Sequence, residues 1–140
     1  MSKKTVVDTS IIIKWLNSDN EQNLDQSDKL LQKARDGDIE LVAPELAKYE
    51  VGNVLLKGKK LTPNQARTSL GTVYTLPITY VADTLELATE TYSLAHDLGI
   101  TYYDASFMSL ARQQDAVLVT ENIKHQSKAK NVKVMSIKDY

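Results

Sequence analysis

Cysteine is absent from the 140-residue chain, so neither a disulfide framework nor a thiolate-bound metal is available to it, which fits a reducing, cytoplasmic setting. Histidine is nearly absent. The two present, His96 and His125, lie far apart in sequence and in no recognisable ligand pair, which argues against histidine chemistry. No apolar run approaches the length of a membrane span, so a soluble protein with no membrane partner is expected. Asp8 and Lys14 interrupt the short apolar stretch near the start, which is therefore not read as a targeting segment. An excess of positive charge is missing too. The net charge of -1 excludes a globally basic nucleic-acid binder and leaves local fields open. With no repeat, low-complexity tract or evident linker, a single domain over residues 1–140 is expected, able to bury roughly two-thirds of its unfolded surface in one core.

What is present is an alternation of strand and helix signals. Thr5, Val6 and Val7 form a β-branched strand that ends at Asp8, and Ile11–Leu16 a short helix. A helix over Leu24–Asp36 is stopped by Gly37, and Ile39–Val42 is a second strand. Pro44 suits the first turn of a third helix running to about Lys57, and Thr62-Pro63 opens a fourth that reaches about Tyr74. Ile78–Val81 is a short strand or loop. Leu85–Leu98 and Tyr102–Gln113 are helices, Ala116–Thr120 a strand, Ile123–Ala129 a short basic helix and Lys133–Ile137 a last strand. Alternation of this kind predicts an α/β fold, a parallel sheet covered by helices on both faces.

Acids recur where apolar residues or strand tips are expected. Asp8 follows the first strand, at the edge where open parallel sheets bind ligands, although Asp8 and Ser10 are equally suited to capping the next helix. Glu50 falls within the apolar arc of Leu46, Ala47, Val51, Val54 and Leu55, where a carboxylate needs a bound metal or an internal ion pair unless its side chain reaches solvent past Lys57. Asp104 heads the stripe of Phe107, Met108 and Ala111 in a first helical turn, and Thr101 three residues earlier offers the alternative of a capping box. Thr120, Glu121 and Asn122 stand at the carboxyl end of the strand Val117–Val119, on the same edge as Asp8 if the two strands are parallel.

Charge is unevenly spread. Asp83, Glu86, Glu90, Asp97, Asp104, Asp115 and Glu121 face only Arg112 in their stretch, whereas Lys124, Lys128, Lys130, Lys133 and Lys138 follow with Asp139 as sole opposition. A second basic knot is Lys57-Gly58-Lys59-Lys60. Taken singly, each knot is a solvated face; beside an acidic cluster, each is a candidate grip on phosphates.

In order and spacing, Val6-Val7-Asp8-Thr9-Ser10, Pro44-Glu45-Leu46 leading to Glu50 and Asn53, Tyr103-Asp104-Ala105 and Leu118-Val119-Thr120-Glu121-Asn122 resemble the PIN-domain nucleases, and within them the VapC-like toxins of toxin–antitoxin pairs. The likeness spans nearly the whole chain. It implies a three-layer α/β/α sandwich around a parallel sheet, and acids from separated segments converging on a divalent metal for RNA cleavage. By position, Asp8, Glu50 and Asp104 would form the acidic metal site, with Ser10 helping to hold it. The family commonly has an aspartate where this chain has Asn122, so either Glu121 substitutes with a longer arm or the site runs on three acids and a neutral amide. Crowded carboxylates repel one another unless a cation compensates them, and magnesium or manganese suits an all-oxygen set. The resemblance also implies a cognate antitoxin and a homodimer, which exposed apolar positions on the early helices would support. The tyrosines Tyr102 and Tyr103 are read as packing or helix-start residues rather than base-stacking ones. Two other readings are a catalytically weak PIN-like module that binds RNA or protein, and a phosphotransfer domain with Asp8 as nucleophile. The second is disfavoured, because Thr9 and Ser10 stand where a second acid is needed.

Overall fold

Five short strands, β1 (Lys3–Val7), β2 (Ile39–Pro44), β3 (Ile78–Val81), β4 (Val117–Thr120) and β5 (Lys133–Ser136), form one sheet in the order β3-β2-β1-β4-β5. Every neighbouring pair is parallel. The computed structural model describes residues 3–121, 123 and 131–140. Asn122 and the expected basic helix, Ile123 apart, lie outside the described residues.

Among the described residues six α-helices connect the strands: α1 (Thr9–Leu16), α2 (Leu24–Arg35), α3 (Leu46–Asn53), α4 (Pro63–Val73), α5 (Leu85–Leu98) and α6 (Tyr102–Gln113). Parallel connections are right-handed, so the outward run from β1 to β3 puts α1 to α4 on one face, and the return from β3 to β4 puts α5 and α6 on the other. Contacts agree: α1 packs against α2, α3, α4 and β4, whereas α6 packs on β1, β2, β4 and α5. The architecture is the expected three-layer α/β/α sandwich. Its core is laid down by Val6 and Val7 of β1, Leu118 and Val119 of β4, Ile11 and Ile12 of α1, and Phe107, Met108 and Leu110 of α6, all fully buried.

Local chemistry sets the helix ends. The Thr62 hydroxyl accepts from the Gln65 backbone amide and the Thr62 backbone amide donates to Gln65 Oε1, a complete capping box with Pro63 in the first turn. Gly99 closes α5 at φ 65°, a left-handed conformation that costs glycine little. Trp15 is a packing residue as expected, and its indole N–H donates to the Ser27 carbonyl at 2.9 Å.

Three expectations change. Pro44 does not open a helix; it is the last residue of β2, paired with Val81, and α3 begins two residues later. The third helix reaches Gly58 only by switching to a π-helical turn, Val54–Gly58, in which the Lys59 amide reaches back five residues to the Val54 carbonyl at 2.9 Å. Among the described residues the exposed large apolar side chains lie on α3, α4, α5, α6, β5 and the connections of α3 and α4 rather than on α1 and α2.

Candidate active site

The strand order reverses beside β1: the chain runs outward through β2 and β3, then crosses back to β4 on the other side of β1. At such a reversal an open parallel sheet binds ligands, at the carboxyl ends of the two adjoining strands. Asp8 immediately follows β1, and Glu121 follows β4. The Asp8 amide donates to the Val119 carbonyl at 3.1 Å, which extends the β1–β4 ladder by one residue and fixes Asp8 by the sheet itself.

Asp8 is only 8 % exposed. The Thr9 amide donates to Oδ1 at 2.7 Å, and the Thr120 and Ser10 hydroxyls donate to Oδ2 at 2.7 and 3.2 Å. Capping and site geometry coincide here, since the bond from Thr9 is also the N-cap of α1. Ser10 has a second role: its Oγ accepts from the Glu121 amide at 3.3 Å, tying the ends of β1 and β4 together.

Glu50 projects from α3 and is half-buried, with the Thr9 hydroxyl donating to Oε1 at 2.7 Å. Asp104 lies in the first turn of α6, where its amide donates to the Thr101 hydroxyl at 3.0 Å. The capping box anticipated there is only half made. Among the described residues the Asp104 carboxylate returns no hydrogen bond, and it lines the same cleft as Asp8 and Glu50. That cleft has a volume of about 650 Å³, and Glu21 and Glu121 line it as well.

Burial pushes the Asp8 carboxyl above its ordinary range, against the hydrogen bonds from Thr120, Thr9 and Ser10, and the charge of Asp104 adds to the rise. Glu50 is raised chiefly by burial, opposed by the Thr9 hydrogen bond and reinforced by the charges of Asp8 and Asp104. Carboxylates that repel each other in a desolvated cleft are stabilised by a proton or a cation. The donor set is entirely oxygen, which suits magnesium or manganese. Among the described residues no three acidic or histidine side chains are already arranged to hold one ion between them. The fit is therefore to an ion that keeps several waters and takes one or two carboxylates directly, which is magnesium's habit.

Glu121 is not a free acid. Lys14, buried in α1, donates to Glu121 Oε1, to Glu21 Oε1 at 3.2 Å and to the Gln22 carbonyl at 2.6 Å. Lys59 donates to Glu21 Oε2 at 2.7 Å and also to the Asp19 carbonyl. Lys14, Glu21 and the Thr9 hydroxyl are the residues of the cleft network that sequence reasoning misses; it places Thr120 at the strand tip and Lys59 in a basic knot, without their partners Asp8 and Glu21. A signal existed for Lys14, because a lysine that directly continues the buried run Ile11–Ile13 requires buried acceptors. Glu21, in a polar connection, offered none. Lys59 is correspondingly unavailable as part of a basic knot for phosphate.

Tyr103, read as a packing or helix-start residue, stands in the first turn of α6 but does not pack into the core; it is 60 % exposed and lines the cleft together with Tyr49, at 80 %. His96 is on the α5 surface as expected, beside Asp97. Asn122, Lys124, His125, Lys128 and Lys130 fall outside the described residues.

The model of the PIN domain matches residues 5–131. The chain belongs to the PIN domain family. This PIN chain also shares its fold with VapBC2 from Rickettsia felis bound to a promoter DNA fragment, at 16 % identity and TM-score 0.70, covering 95 % of this chain and 98 % of that one. A toxin–antitoxin complex from Klebsiella pneumoniae is similar at 16 % identity and TM-score 0.68, covering 95 % and 97 %. VapC20 from Mycobacterium tuberculosis, a sarcin-ricin loop cleaving toxin, is similar at 13 % identity and TM-score 0.62, covering 81 % and 86 %. No curated protein matches the sequence. Among the described residues no helix of this PIN chain is long and apolar enough to cross a membrane.

Proposed function

We propose that this PIN-domain protein is a divalent-metal-dependent endoribonuclease and the toxin partner of a cognate antitoxin. The observation that carries the reading is Asp8: a buried carboxylate at the strand-order reversal, held by three neutral donors and sharing one cleft with Glu50 and Asp104. Membership of a nuclease family supports phosphodiester cleavage. Similarity to a sarcin-ricin loop cleaving toxin and to a toxin–antitoxin complex supports RNA as substrate and an antitoxin as partner.

In this reading Asp8, Glu50 and Asp104 hold the ion, with magnesium or manganese as the cofactor. When bound, the metal supplies an activated water and offsets charge that develops on the phosphate. Thr9 orients two of the three acids at once, its amide on Asp8 and its hydroxyl on Glu50. Glu50 lines the same cleft, where its carboxylate would hold the ion or hydrogen-bond the attacking water. The exposed apolar residues Tyr49, Leu56, Leu70, Tyr74, Leu85 and Tyr92 supply surface for a second copy or the antitoxin. A cytoplasmic location follows from RNA as the substrate.

The test is incubation of purified protein with a mixed cellular RNA pool, in magnesium or manganese and in chelator, beside Asp8→Asn and Asp104→Asn. Cleavage that needs metal and disappears in both variants is expected. A folded protein that binds RNA yet never cuts it, with binding unchanged in both variants, would show a binding module instead.

A further inference from the structure

We propose that Lys14 is a positioning residue of the metal site: its ammonium is a resident cation that claims Glu121 and Glu21, leaving Asp8, Glu50 and Asp104 as the carboxylates open to one divalent ion. The inference rests on the metal-dependent reading above and deepens it.

The cleft is divided electrostatically. On one side stand two acids and two lysines in a continuous chain, Glu121–Lys14–Glu21–Lys59. The Lys14 side chain is 0 % exposed. An ammonium has three N–H donors, and three acceptors meet them: Glu121 Oε1, Glu21 Oε1 and the Gln22 carbonyl. Nothing is left on Lys14 to reach a phosphate. The second oxygen of Glu21 is taken by Lys59. On the other side stand Asp8, Glu50 and Asp104, which have no ion-pair partner among the described residues and receive only neutral hydroxyl or amide donors. A divalent ion is drawn to uncompensated charge, so it goes to the second group.

The backbone is built to keep the division. Lys14 lies in α1, whose N-cap is Asp8. Glu21 is carried by a connection that turns on two left-handed asparagines, Asn20 at φ 59° and Asn23 at φ 57°. Lys59 follows the π-helical turn that continues α3, the helix carrying Glu50. The charge network thus joins the elements that present Asp8 and Glu50 while its own acids are occupied. Glu121, beside the position where the family commonly has an aspartate, is assigned here as the counter-ion of Lys14.

The test is titration of the full-length protein with Mn2+ in the absence of RNA, with free ion followed by electron paramagnetic resonance, for wild type, Asp8→Asn, Glu121→Gln and Lys14→Met. Wild type is expected to bind one ion and Asp8→Asn to bind at least about tenfold more weakly. Glu121→Gln should keep one ion with affinity within about twofold of wild type, because it removes no ligand. Lys14→Met, which releases Glu121 and frees one oxygen of Glu21 while the other stays on Lys59, should gain a second ion. Weakening by about tenfold or more in Glu121→Gln would make Glu121 a ligand and overturn the inference while leaving metal dependence intact. A folded Lys14→Met with one unchanged ion would also overturn it, and if that variant does not fold, Glu121→Gln decides alone. No Mn2+ binding by wild type refutes the metal reading and the inference with it.

Discussion

Replacing Lys14 by methionine removes a buried ammonium and keeps most of the side-chain volume, so packing is nearly constant and the change isolates the charge. Breaking one partner out of a buried ion pair costs about 3–5 kcal/mol. Two features place Lys14→Met at the low end. Glu21 keeps Lys59 at 2.7 Å, and the Glu121 side chain is 36 % exposed, so water and ions screen the charge left behind. A loss of about 3 kcal/mol is expected. With an unfolding entropy of about 2.1 cal/mol/K per residue, a chain of 140 residues loses roughly 10 °C of melting temperature for that change. The assay is thermal unfolding followed by circular dichroism in chelator, checked by urea midpoints. Adding Glu121→Gln should restore about 1 kcal/mol to Lys14→Met yet cost wild type a similar amount, the signature of direct coupling. A drop of less than about 2 °C would refute the view that Lys14 is an essential buried counter-ion.

Other expectations follow from the same geometry. In metal-free protein the Asp8 and Glu50 carboxyls are raised on folding, so the folded state binds extra protons and stability falls as pH rises. That cost is complete above the raised folded values and vanishes below the ordinary ones, 3.8 for Asp8 and 4.5 for Glu50. In chelator at pH 7, Asp8→Asn should therefore be at least as stable as wild type, with its advantage shrinking as pH falls; urea midpoints that diverge toward acid would contradict this. The same variant should lose cleavage by about 100-fold or more, since even partners of metal ligands contribute 10- to 100-fold. Thr9→Val removes the hydroxyl bond to Glu50 and should cost about 1–3 kcal/mol, with roughly tenfold weaker Mn2+ binding by calorimetry. Phe107→Ala, in the core beneath α6, should cost about 3–5 kcal/mol in urea unfolding with no selective effect on metal affinity.

Much of the fold is legible in sequence because its signals are local. β-Branched runs mark β1 and β4, and Thr62-Pro63 and Gly99 punctuate helices by capping and left-handed turning, mechanisms that need no distant partner. Pro44 misleads because proline suits either a helix start or a strand end, and only the pairing with Val81 decides between them. Asp8, Glu50 and Asp104 are legible as candidates because each is an acid on an apolar face or at a strand tip, and all three line the cleft. The compensating network is not legible in the same way. Lys14 meets Glu121 across 107 positions and Lys59 meets Glu21 across 38, so nothing in local periodicity links them. Tyr103, read as a packing or helix-start residue, does stand at a helix start, but it precedes the stretch 105–111 that α6 buries, and it is left exposed at the cleft.

The most direct test of the central claim is a crystal of the wild-type protein grown or soaked in Mn2+ and measured for anomalous scattering. A single peak in the cleft, bonded to Asp8 directly and reaching Glu50 or Asp104 directly or through water, with Glu121 still on Lys14, is the predicted result. An ordered protein with no peak there at saturating Mn2+, or with its only peak on Glu121 and Glu21, would contradict the account.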